Sequence, residues 1–228
     1  MTKMNKIEII AEIGQNWCGD IELARFMIGE AKANGADYAK FQLFDSVKLY
    51  GEHRDTELSR KRAEYLFECG NKWDIEVFFS VFDVERVKWC EEIGVKRYKI
   101  ACSQHNNREF VQHIHSVGKP MIVSIPYGTK PKFYNSTWVC NINYLYCIPE
   151  YPTQIKDINM WRMFAFFDGF SDHTIGLDAA KIAMSRGAKI IEKHFAVDHN
   201  TGVDAPWSMI PEELKELRRF ADSVEECI

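Results

Sequence analysis

The sequence has no basic excess: 29 Lys and Arg stand against 33 Asp and Glu, a formal net charge of −4, and the pI is near 6.0. Binding along a phosphate backbone draws on a basic surface, so nucleic acid is not an expected partner. No apolar run approaches the 18 or so residues that a spanning helix needs, and Met1–Asn5 lead into a mixed segment without the apolar stretch of a signal peptide. A soluble, cytoplasmic protein is the expectation, with no membrane partner. The seven cysteines, at 18, 69, 90, 102, 140, 147 and 227, are scattered and form no C-x-x-C pair. That spacing argues against a zinc knuckle or a redox motif and fits reduced thiols in a cytosol. No linker or low-complexity stretch divides the chain.

What is present is material for a core. The chain has 228 residues, 46% hydrophobic and 13% aromatic. A domain of this size buries roughly 70% of the surface its unfolded form exposes, which excludes intrinsic disorder. Residues 1–228 are expected to form one domain, since single barrels routinely reach this length.

Short β-rich runs alternate with helical patterns about eight times, the mark of βα units and a parallel sheet. Ile7–Ile13 is a β-branched run ending at Gly14, after which Asp20 caps a helical pattern with Leu23, Phe26, Met27, Ile28 and Ala31 on one face. Tyr38–Phe44 reads as the second strand, followed after a polar stretch by a helix over Glu57–Trp73. Further strands are expected at Ile75–Val81, Arg97–Ala101, Pro120–Ile125, Asn143–Cys147, Gly169–Ser171 and Lys189–Phe195. Helices are expected at Val84–Ile93, Arg108–Val117, Ile158–Phe166, Leu177–Arg186 and Pro211–Glu226. Between Pro126 and Trp138 the period is lost, so that crossover is expected to be irregular. Eight such units specify a closed (β/α)8 TIM barrel, in the α/β class, whose reactive groups stand at the C-terminal rim of the strands.

Polar residues gather at those strand ends: Glu12, Lys40, Gln42, Ser80, Lys99, Ser124, Ser171, His173, Glu192 and His194. Alternation along a strand puts Lys40 with Gln42, Ser171 with His173, and Glu192 with His194 on shared faces. A lysine embedded in an apolar strand is costly unless an anion pairs with it. Lys40 and Lys99 therefore imply either an anionic ligand or acidic neighbours, for which Glu12 and Glu192 are the candidates. His173 and His194 lie on successive strands, close enough to meet one divalent ion, although a histidine pair alone is more often a satisfied core or surface pair than a ligand set.

The blocks Ala11-Glu12-Ile13-Gly14-Gln15-Asn16, Gly35-Ala36-Asp37-Tyr38-Ala39-Lys40-Phe41-Gln42, Tyr98-Lys99-Ile100, Glu150-Tyr151-Pro152-Thr153, Phe170-Ser171-Asp172-His173-Thr174 and Ile191-Glu192-Lys193-His194-Phe195 together resemble the sialic acid synthase (NeuB) family. The resemblance runs in order from about Ile9 to Met209. It implies a transferase of carbohydrate biosynthesis that joins phosphoenolpyruvate to an N-acetylated amino sugar, giving a nine-carbon 2-keto sugar acid and phosphate. It also implies that His173 and His194 ligate a divalent metal, Mn2+ or Mg2+. Lys40 and Lys99 match residues that hold phosphoenolpyruvate, aided by the hydroxyls of Ser124 and Ser171. Glu12 matches the acid near the condensing carbons, Tyr151 and Gln42 match pocket positions, and Asp204 matches an aspartate that binds sugar hydroxyls.

Several positions depart from the family pattern. Trp17 stands where a histidine is common and is expected to remodel the sugar pocket. Cys102 replaces a phosphate-binding serine, with Ser103 as a stand-in, while Gln104 replaces a glutamate, Pro149 an asparagine, and Ser124-Ile125-Pro126-Tyr127 an altered phosphate block. The family's C-terminal antifreeze-like domain, which caps the partner subunit's site, is expected to be absent, leaving a homodimer or a separate cap protein as possible partners. Two other readings stay open: a different barrel lyase, aldolase or 2-keto acid synthase, and a non-catalytic barrel that binds a sugar phosphate or a protein.

Overall fold

The computed structural model describes residues 6–126, 129, 141–160 and 166–227. Its eight strands close into one barrel in sequence order, β1 beside β2 and so on round to β8 beside β1, with every pairing parallel. The strands are β1 (Glu8–Gly14), β2 (Tyr38–Leu43), β3 (Glu76–Val81), β4 (Tyr98–Ile100), β5 (Met121–Pro126), β6 (Ile142–Cys147), β7 (Gly169–Asp172) and β8 (Ile190–His194). Around them lie α1 (Ile21–Ala33), α2 (Ser46–Tyr50), α3 (Arg60–Trp73), α4 (Val84–Ile93), α5 (Arg108–Ser116), α6 (Asp178–Ser185) and α7 (Pro211–Cys227).

The expected alternation holds, with differences in detail. α2 is a single turn inside the polar stretch after β2; five residues are too few for a 3.6 period to declare itself. The helix expected over Ile158–Phe166 is not found at residues 158–160, which follow a 3-10 turn at Ile155–Asp157. Its remainder at 161–165, and most of the irregular crossover after Pro126, lie outside the described residues.

Helix starts follow local chemistry. Asp20 accepts the backbone N–H groups of Glu22 and Leu23 at the head of α1, while Ser59 and Asp83 cap α3 and α4 in the same way. Strands β1 to β5, β7 and β8 are buried along nearly their whole length, and Ile9, Phe41, Phe79, Ile100, Val123 and Ile191 are sealed from solvent. Such continuous burial is the signature of a parallel sheet covered by helices. Gly169 is required by packing: a Cβ there would stand 2.0 Å from the Ile190 carbonyl oxygen on β8. Among the described residues no helix is long and apolar enough to cross a membrane.

Candidate active site

Register brings the polar rim together. Glu12 is level with Lys40 on one side and with His194 on the other. Gln42 is level with Ser80, Ser80 with Lys99, and Ser171 with Glu192. In parallel neighbours, residues at one level project to one face, so these side chains converge. Glu12, Lys40, Gln42, Lys99, Ser124, Tyr151, Ser171, His173 and His194 line one pocket at the C-terminal rim. Asp204 stands at its edge, its Oδ2 3.3 Å from His194 Nδ1. A larger hollow of about 560 Å3 lies outside the barrel between the 155–160 segment and α6, without any of these groups.

The two lysines are almost wholly buried, each at 2% exposure, and the structure answers how that burial is tolerated. Lys40 pairs with Glu12, lies 3.5 Å from Glu192 Oε2 and donates to Ser80 Oγ at 2.8 Å. Lys99 donates to Ser124 Oγ at 2.8 Å and to the Ile100 carbonyl at 3.1 Å, with Glu192 Oε1 3.5 Å away. Ser171 Oγ donates to Glu192 Oε1 at 3.0 Å. Burial alone drives a lysine pKa down, but Glu12 and Glu192 together outweigh it at Lys40 and hold that ammonium above its ordinary range. At Lys99 burial wins, and the neighbouring Lys40 charge adds to it, so its pKa is lowered.

The carboxylates divide in the same manner. Burial pushes Glu192 up, yet it sits between two ammonium groups, which bring it down to about 2. Burial raises Glu12 and the nearby Glu192 charge reinforces it, against the pull of Lys40; the net direction is up. One acid is thus a firm anion and the other the easier proton carrier, a separation that catalytic carboxyl pairs use. Asp204 is also raised by burial, with Glu12 adding to it.

His173 and His194 have ring centroids 5.7 Å apart. Burial lowers each to a pKa of about 4, so both are neutral imidazoles near pH 7, the form that ligates metal. His173 Nδ1 donates to the Ile148 carbonyl at 2.8 Å, which leaves the lone pair on Nε2 and fixes the ring. His194 Nδ1 is buried without a hydrogen-bond partner, Asp204 being near but outside bonding geometry. Two neutral rings at this separation fit one divalent cation. Among the described residues no cluster of three or more His, Cys, Asp or Glu joins them, so water and substrate oxygens would complete the shell.

The β1–α1 turn ties the rim together. Gly14 has φ +55, and a Cβ there would lie 3.1 Å from Glu12 Oε1, 3.5 Å from Gln42 Nε2 and 3.7 Å from Asp204 Oδ2, so glycine leaves the space in which those three groups meet. Fully buried Asn16 donates to the Phe195 carbonyl and to Ser208 Oγ, both at 3.0 Å, and accepts from Asp204 N at 2.9 Å. It fastens the loop carrying Asp204 to the loop after β1.

Three expectations need correction or addition. Trp17 does not line the pocket: its indole is packed in the hydrophobic core at 0% exposure, just before the turn at Cys18 (φ 52) and Gly19 (φ 80). Cys102 itself lines the pocket, whereas Ser103 is solvent-exposed and does not replace it. Gln104 and Pro149 lie off the pocket lining, and Tyr127 falls outside the described residues. Glu192, Ser80 and Cys147 belong to the lining as well. Glu192 and Ser80 are among the polar strand ends named from the sequence; Cys147 is not.

The comparisons agree with this geometry. The NeuB family matches residues 27–228. The chain is 32% identical to the N,N'-diacetyllegionaminic acid synthase of Legionella pneumophila, over 92% of this chain and 69% of that protein. It is 31% identical to the human N-acetylneuraminate-9-phosphate synthase, over 96% and 70%. The crystal structure of the N-acetylneuraminic acid synthetase of Leptospira borgpetersenii, in complex with citrate, superposes with a TM-score of 0.91 at 30% identity, covering 98% of this chain and 85% of that one. The chain belongs to the NeuB family, a group of sugar-acid synthases.

Proposed function

We propose that the protein condenses phosphoenolpyruvate with the open-chain form of an N-acetylated amino sugar, giving a nine-carbon 2-keto sugar acid and inorganic phosphate, with Mn2+ or Mg2+ as the metal. The observation that carries this reading is the joining of two buried, hydroxyl-bonded lysines to two neutral imidazoles at one rim. The relatives' names, which describe synthases of sialic and legionaminic acids, supply the substrate class.

In this reaction the enol carbon adds to the sugar aldehyde carbon, water adds at the carbon bearing the phosphate ester, and phosphate leaves with the bridging oxygen. Lys40, Lys99, Ser124 and Ser171 hold the phosphate and carboxylate through charge-assisted hydrogen bonds. Glu12, the carboxyl with the raised pKa, moves the proton that the new alkoxide takes up. Gln42, Tyr151 and Asp204 orient the sugar. His173 and His194 would hold a divalent cation, which when bound would supply Lewis-acid polarisation of the aldehyde.

Phosphate release in the presence of Mn2+, phosphoenolpyruvate and N-acetylmannosamine tests the proposal. Release that requires both substrates supports it; silence across a panel of 2-acetamido sugars overturns it. A second reading draws on the lowered pKa of Lys99, a property of Schiff-base lysines. Borohydride trapping with pyruvate gives a covalent adduct at Lys99 under that reading and none under the first.

A further inference from the structure

We propose that Gln15 is a positioning residue: through a chain of side-chain hydrogen bonds it holds the Gln42 amide in the orientation that presents Nε2 to Glu12. Gln15 lies in the turn after β1 at 8% exposure and does not line the pocket. Thr56 Oγ1 donates to Gln15 Oε1 at 2.7 Å. Gln15 Nε2 then donates to Gln42 Oε1 at 3.2 Å and to the Tyr50 hydroxyl at 3.2 Å. Gln42 Nε2 in turn donates to Glu12 Oε1 at 3.2 Å.

The chain has a direction because an amide has two unlike ends. A carboxylate oxygen only accepts, so Gln42 turns Nε2 to Glu12 and its oxygen to Gln15 Nε2. Gln15 Oε1 is then left to accept from the Thr56 hydroxyl, a group that can donate or accept. Were Gln42 reversed, its oxygen would face a carboxylate oxygen, an unfavourable contact in a buried setting. Glu12 is therefore gripped at both oxygens, Oε1 by Gln42 and Oε2 by Lys40, which fixes the plane of the carboxyl.

The outer end of the chain is itself anchored. The Tyr50 ring packs edge-on against Phe44 at 5.5 Å, and the Arg54 guanidinium covers its face at 3.6 Å. The segment carrying Arg54 and Thr56 is tied back by the Arg54 N–H to Ser46 Oγ at 3.2 Å and by the Ser46 N–H to Glu57 Oε2 at 2.9 Å. The short helix α2 and its following loop thus set the orientation of a group that they do not touch. The catalytic meaning of that orientation rests on the reaction proposed above; the chain of bonds does not.

Two pairs of variants test it. Gln15→Glu keeps size and polarity but removes the donor, and Gln15→Leu removes both ends. Thr56→Val removes the hydroxyl that donates to Gln15 Oε1 and holds that amide in place, whereas Thr56→Ser retains it. The side-chain amide resonances of Gln42, assigned by their loss in Gln42→Met, are expected to shift in Gln15→Glu and Thr56→Val and to stay in place in Thr56→Ser. Turnover is expected to fall at least tenfold in Gln15→Glu and Thr56→Val, with KM for phosphoenolpyruvate within twofold and the melting temperature nearly unchanged. Thr56→Ser should restore the parent rate. Gln42 resonances that ignore both Gln15→Glu and Thr56→Val overturn the relay, whatever the rates. Shifted resonances in a protein whose parent form turns over no substrate leave the relay standing and remove the reaction. If Gln15→Glu fails to fold, the Thr56 pair decides alone.

Discussion

Lys99 reaches its hydroxyl partner Ser124 and sits 3.5 Å from Glu192, so its ammonium is placed for an anion and not for the sugar. Lys99→Met is expected to raise the KM for phosphoenolpyruvate tenfold or more, a loss of about 1.4 kcal/mol or greater, with a smaller effect on the KM for the sugar. Steady-state kinetics with each substrate varied in turn provide the check. His194 makes no hydrogen bond through Nδ1, so His194→Ala should abolish Mn2+ binding and turnover while leaving the fold intact. Calorimetric titration with Mn2+ beside far-ultraviolet circular dichroism would read both, and full activity in a metal-stripped variant would refute the assignment. At this scale much of the site was legible in the chain. Alternation alone put Lys40 with Gln42 and Glu192 with His194. What stayed hidden depended on loop conformation: the turn after β1, where Trp17 is fully buried in the core, and the tight turn after β4 that presents Cys102 and turns Ser103 out.

Elements are set by a few local contacts as much as by periodicity. Asp20 caps α1 by accepting two backbone N–H groups, so Asp20→Ala is expected to cost about 1 kcal/mol. In a chain of this length that lowers the melting temperature by roughly 2–4 °C, and the kinetic constants should change little because Asp20 does not line the pocket. A calorimetric scan showing no shift would mean that the cap contributes nothing. Gly169→Ala is expected to be far more damaging, since its Cβ would overlap the Ile190 carbonyl and no rotamer relieves a clash at Cβ. Loss of soluble, cooperatively unfolding protein would mark that outcome. The strongly patterned elements α3, α5 and α7 were readable because their apolar stripes repeat. By contrast α2 has five residues, a length at which either period is satisfied by chance, whereas the three residues of β4 fall inside the strand expected at Arg97–Ala101. The helix expected over Ile158–Phe166 does not start at Ile158, since residues 158–160 are not helical, and residues 161–165 lie outside the described residues.

On the scale of the whole molecule, closing eight strands into a ring collects charges from distant parts of the sequence, and the cost of burying them appears as a pH dependence. His173 and His194 titrate near 4 when folded but near 6.5 in an unfolded chain. As pH falls through 6.5 the unfolded form takes up protons that the native form refuses, so stability declines between pH 6.5 and 4 and is fully present above 6.5. At pH 5 the loss is about 2 kcal/mol for each ring. Urea unfolding at pH 7 and pH 5 in the presence of a chelator, with His173→Asn and His194→Asn for comparison, should show midpoints that converge in the variants. Equal midpoints for the parent protein at both pH values would contradict the burial argument. The same gathering of charge bears on recognition. Glu12 and Glu192 already serve as counter-ions for both ammonium groups, so an incoming anion must outbid an occupant tethered to the scaffold. Its net affinity is a difference between two embraces, and singly charged anions at ordinary concentrations should be turned away while a multiply charged one prevails.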